Sequence, residues 1–200
     1  MISLLAIKNV YDGLETVLST TRAINEFKGG LLQKKLKTFL IELLSEDVNF
    51  AEMAFINLRN EVSEEYFNEA LFNAIVNSDS SLRAKLLGIA VRLCAKGEIS
   101  ANAFWSIQKV LSDLTMADLK SIPSLIGHFG QYLESSESDS VHAGSILDSK
   151  EFRKVFPHDR VLRLQSVGLV NIDSATGVIE RISSKSMLYS VVKVIRVGEV

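Results

Sequence analysis

The stretch that decides the fold runs from Pro157 to Ile182. A helix-like segment, Pro157 to Val167, passes into Gly168-Leu169-Val170, then Asn171-Ile172-Asp173-Ser174-Ala175-Thr176-Gly177, then Val178-Ile179-Glu180-Arg181-Ile182. Pro157 suits the opening of a helix because a first-turn residue needs no N–H partner, and Val161, Leu162, Leu164 and Val167 would hold that helix down. Ser174-Ala175-Thr176-Gly177 reads as a hairpin connection, with Gly177 free to adopt a positive φ. The order is therefore helix, strand, tight turn, strand.

The residues before this stretch carry a different signal. Leu32, Leu36, Phe39, Leu40 and Leu43 fall at helical spacing on one face, with Lys34, Lys35, Lys37 and Glu42 mainly on the other. The same template fits Phe67, Leu71, Ala74 and Ile75, then Leu82, Leu86, Ile89 and Leu93, then Ala103, Ile107, Val110, Leu111 and Leu114. Ser63, Ser80, Ser100 and Thr115 sit where a hydroxyl can cap a helix start, and Gly97 sits where a glycine ends one. Gly29-Gly30 separates a first helix, about residues 2–26, from the second, and Asn77-Ser78-Asp79 separates two later ones. A short helix is expected around Asn49 to Leu58, and Pro123 is expected to break the helix that starts near Ala117. Connections this short predict an antiparallel bundle.

Between the two signals lies Glu134-Ser135-Ser136-Glu137-Ser138-Asp139-Ser140, which has no apolar side chain to join a core. The organisation expected is a helical bundle over residues 1–133, a serine-rich linker or loop over 134–147, and a winged-helix-like α/β unit with a β-hairpin over 148–200. Phe152, Val155 and Phe156 make a short amphipathic turn at the start of that unit. In the tail, Leu188, Val191, Val192 and Ile195 fit a helix from about Ser184, whereas the β-branched content also suits a strand. The fold class is mainly α, with a small α/β ending.

Helix, Leu-x-x-x-Gly-Leu-Val (Leu164 to Val170), hairpin and closing element is how a winged-helix module ends. Together with Arg83-Ala84-Lys85-Leu86-Leu87-Gly88, Lys96-Gly97-Glu98-Ile99-Ser100 and Ala117-Asp118-Leu119, the order resembles the uncharacterised bacterial and prophage helical proteins grouped with the abortive-infection alpha (Abi-alpha) proteins. The resemblance spans about residues 30–197 and departs from the group at Ser183-Ser184-Lys185-Ser186, where a threonine, proline and glycine are commoner. It implies a role near phage defence or a mobile element, and it carries over no catalytic residues.

Composition narrows the chemistry. At 47% hydrophobic and 23% charged, the 200-residue chain lies in the globular range. Cys94 is the sole cysteine, which rules out an internal disulfide and a multi-cysteine metal site. The N-terminus lacks a signal-peptide pattern, and no apolar run reaches the roughly 18–20 residues of a membrane span, so a cytoplasmic protein is expected. No Gly-x-Ser-x-Gly elbow, no Gly-x-x-x-x-Gly-Lys loop and no Gly-x-Gly-x-x-Gly turn occurs. Glu-x-x-His and His-x-x-x-His spacings are absent too. Glu61, Glu65 and Glu69 share a helical face, but without histidines they read as a solvated stripe. His128, His142, His158 and Cys94 read as boundary imidazoles and a core thiol. The expectation is a non-enzymatic protein without cofactor or metal.

Charge supplies the remaining candidates. Residues 1–149 hold 13 Lys plus Arg against 19 Asp plus Glu, net −6, whereas residues 150–200 hold 9 against 5, net +4. Arg153, Lys154, Arg160 and Arg163 could neutralise phosphates while the helix from Pro157 enters a groove, with Lys185 as the wing contact. The plainer reading is a soluble module with basic side chains, and the acidic first part would oppose DNA approach. Phe104 and Trp105, adjacent and about 100° apart on a helix, are the candidate protein interface. Two functions follow from these candidates. One is a protein-interaction or regulatory protein with a protein partner or a homodimer; the other is a DNA-binding regulator using the C-terminal unit.

Overall fold

The computed structural model describes residues 29–43, 71, 73–75, 77–78, 80–142, 150–175 and 178–199. The expected helices at 2–26 and 49–58, the cap at Ser63, the glutamate stripe and Phe67 lie outside the described residues. Those described are mainly helical, with one small antiparallel sheet near the C-terminus. The chain divides into two compact units, Met1–Phe104 and Trp105–Val200. This division falls thirty residues before the serine-rich stretch, where composition had suggested it.

In the first unit, α1 (Gly29–Leu43) packs on α2 (Ser81–Ala95). Helix α1 starts at the Gly29-Gly30 pair and turns Leu32, Leu36, Phe39 and Leu43 inward. Helix α2 begins at Ser80, whose hydroxyl accepts from Arg83 N, and it is followed by Gly97 at φ +69°. The two helices come close at Gly88. A Cβ added there would lie 2.7 Å from the Phe39 carbonyl oxygen and 3.0 Å from Glu42 Cβ. Glu42 also faces Lys85 at 3.9 Å and Arg92 at 3.8 Å. Lys35, expected on the solvent side, is instead buried, with its ammonium donating to the Ser78 carbonyl. A long side chain can reach a backbone acceptor of a neighbouring turn, and the period of apolar residues does not record that.

Helix α3 (Ala101–Asp113) crosses the division, with Ile107, Val110 and Leu111 buried. Ser100 Oγ accepts from Ala103 N at 3.1 Å, as a cap should.

The second unit is built on α4 (Met116–Ser135), which runs straight through Pro123 instead of ending there. Proline in a helix interior forfeits one hydrogen bond. Here Leu119, Ile122, Leu125, Phe129 and Leu133 form an unbroken buried stripe on both sides of it. Such leucines, isoleucines and phenylalanines each contribute about 1.5–3 kcal/mol when fully buried, which outweighs the roughly 3 kcal/mol cost of the proline.

After α4 the serine-rich stretch carries no regular structure over 136–140, and residues 143–149 lie outside the described residues. Val141–His142 form β1, followed by α5 (Lys150–Val155), α6 (His158–Ser166), β2 (Val170–Ile172), β3 (Ile179–Ile182) and α7 (Lys185–Val197). The strand order is β1-β3-β2, antiparallel throughout, with Val141 and Val170 both opposite Ile182. The register shifts between Asn171 and Ile172. Gly168 at φ +77° lets α6 turn directly into β2. The tail is helical, as the spacing predicts: Ser184 caps α7, and Leu188, Val191, Val192 and Ile195 are buried.

Candidate functional site

Two of the arginines read from the sequence as phosphate ligands, Arg160 and Arg163, converge within the second unit on Asp118. Thr115 and Asp118 form a reciprocal capping box at the start of α4: Thr115 Oγ1 accepts from Asp118 N, while Asp118 Oδ2 accepts from Thr115 N at 3.1 Å. The Thr115 hydroxyl also lies 2.6 Å from Oδ2. This geometry turns the carboxylate back toward the helix end, where it is fully buried.

Helix α6 brings two guanidinium groups to it. Arg163 donates from Nε to Oδ2 at 2.8 Å and from Nη2 to Oδ1 at 3.0 Å, the two-pronged arrangement that planar guanidinium favours. Arg160 donates from Nε to Oδ1 at 3.1 Å, and its Nη1 reaches the Val155 carbonyl at the end of α5. Asp159 takes the remaining prong of Arg163 at 3.1 Å. One carboxylate thus ties the beginning of α4 to α6, and Arg160 extends the tie to α5.

Burial by itself pushes the Asp118 carboxyl up, but the hydrogen bonds from Arg163 and Thr115, together with the charge of Arg163, hold it well below the usual carboxylate range. The bonds to Asp118 and Asp159 in turn raise Arg163. The group is a permanent ion cluster at neutral pH. It is not a proton donor or acceptor poised for chemistry.

The other basic candidates are placed differently. Arg153 and Lys154 are exposed on α5. Lys185, read as the wing contact, follows β3. It is the first residue of α7, half-buried, with its ammonium donating to the Ser136 carbonyl. Around it the serine-rich stretch is anchored: Asp139 Oδ1 accepts from Ser186 N at 2.8 Å, Oδ2 accepts from the Ser184 hydroxyl at 2.9 Å, and Asp139 O accepts from Lys185 N at 2.6 Å. Burial opposes ionisation of Asp139, yet the bonds from Ser186 and Ser184 to its carboxylate, with the charge of Lys185 nearby, lower its pKa.

The outward side of α6 shows His158, Asp159, Leu162 and Ser166, a surface with no cation at its centre. The redrawn boundary changes the charge balance as well. Residues 105–200 carry eleven Lys plus Arg against eleven Asp plus Glu, so the second unit is neutral, and residues 1–104 carry eleven against thirteen, net −2. Counted about this division the asymmetry read from the sequence disappears, because Glu134, Glu137, Asp139 and Asp148 fall in the C-terminal count.

Of the candidate protein interface, Phe104 is fully buried and Trp105 half-buried, so the pair does not form an exposed aromatic patch. The histidines are scattered: His142 and His158 are exposed, and His128 lies edge to face with Phe152 and Phe156 at ring separations of 5.2 and 6.2 Å. Cys94 is buried in α2. Among the described residues, no three His, Cys, Asp or Glu side chains gather as a metal site requires, and no helix is long and apolar enough to cross a membrane.

Asp118 is the residue that sequence reasoning passed over. Thr-x-x-Asp at a helix start was legible as a cap. Nothing local to it shows that arginines 42 and 45 positions later close on the same carboxylate. Comparison with known proteins finds no matching family model, no matching curated protein and no matching solved structure.

Proposed function

We propose that the chain is a non-enzymatic protein-interaction or regulatory protein of bacterial or phage type, whose C-terminal unit is a winged-helix-like module used for contact with protein. A helical bundle completes it on the N-terminal side. The observation that carries this reading is the closure of Arg160 and Arg163 on Asp118. A groove-entering helix needs cations available to the phosphate backbone, which supplies most of the affinity of DNA binders. In α6 the cations are bound internally, and the outward side presents Leu162 between His158, Asp159 and Ser166. The neutrality of residues 105–200 supports the same reading, because a dedicated DNA-binding domain is usually basic. A link to phage defence rests on the sequence resemblance alone.

The alternative is a DNA-binding regulator, and one observation favours it. The order helix, strand, two helices and hairpin, with the strands ordered β1-β3-β2, supports a winged-helix-like reading, in which α6 would serve as the recognition helix. Arg153 and Lys154 would then be the phosphate contacts.

The test titrates the full-length protein with a short duplex at low and moderate salt and measures its mass in solution by light scattering. No salt-dependent shift, together with a stable dimer, is the expected result. A shift that falls steeply with salt and disappears in Arg153→Ala/Lys154→Ala, with the fold intact by circular dichroism, would establish the DNA-binding alternative. Arg160 and Arg163 are poor choices for that mutant, because removing them also unties α6.

A further inference from the structure

We draw no further inference here: the strongest candidate, the exposed surface patch around Leu162 on the outward side of α6, is an unpartnered apolar face and nothing in the structure shows what covers it.

Discussion

Asp118 is fully buried with two arginine partners, so its removal acts on more than its own volume. Asp118→Ala leaves two guanidinium groups facing an apolar gap. It is expected to destabilise the second unit by about 3 kcal/mol, the lower end for orphaning a buried ion pair. The lower end applies because the side chains of Arg160 and Arg163 are 20% and 37% accessible and can recover some hydration. The pH dependence follows from the same cluster. Asp118 is depressed in the folded protein, so as pH falls the unfolded chain takes up a proton first, near ~4. The stability it supplies is complete at neutral pH and drains away below about pH 4. Urea midpoints of the wild type and Asp118→Asn should therefore converge on acidification, and a gap constant from neutral pH to ~3 would refute this linkage. Two glycines make a contrasting pair. Gly88→Ala drives a methyl to 2.7 Å from backbone oxygen and should cost about 1–3 kcal/mol through forced separation of α1 and α2. Gly127→Ala in α4 meets nothing within 4 Å and should stabilise by roughly 0.5–1 kcal/mol through helix propensity. Denaturation midpoints moving in opposite directions would check both.

At the scale of elements, the end of the chain is pinned by short polar contacts. Ser184→Ala removes the cap of α7 and is expected to cost about 1 kcal/mol. Asp139→Ala removes acceptors for Ser184 and Ser186, so amide exchange should quicken at Lys185, Ser186 and Met187, with little change in the middle of α7. How far the elements were readable depends on where their information lies. Helices α1, α2 and α3 and the β2–β3 ribbon announce themselves because apolar period, hydroxyl caps and Gly97 or Gly168 are all local signals, whereas the β-branched residues of α7 suit helix and strand alike. Strand β1 does not announce itself. Two residues cannot show a period, and Val141-His142 extends only because β3 offers it an edge. Pro123 misleads for the opposite reason: its local preference is clear, but the buried stripe of α4 overrides it. The Asp118 cluster was half legible, as a cap and as a set of nearby arginines, and their meeting depends on tertiary packing.

For the whole molecule, the placement of the unit boundary has a direct test. A fragment beginning at Asp148 lacks α4 and β1, and with them Asp118 and the Phe129 ring that lies 6.2 Å from Phe152. It should show no cooperative thermal transition by circular dichroism. A fragment from Ser100 keeps α3 whole with its cap and retains β1, β2 and β3, so it should melt cooperatively. Two equally cooperative fragments would restore the boundary to the serine-rich stretch.

Strand β1 also bears on solubility. By lying along one side of β3, this short piece of a hydrophilic tract shields hydrogen-bonding groups that would otherwise recruit extended chains. Trimming residues 136–142 as dispensable filler would therefore uncover an adhesive seam, and the shortened protein should aggregate more readily than the intact one.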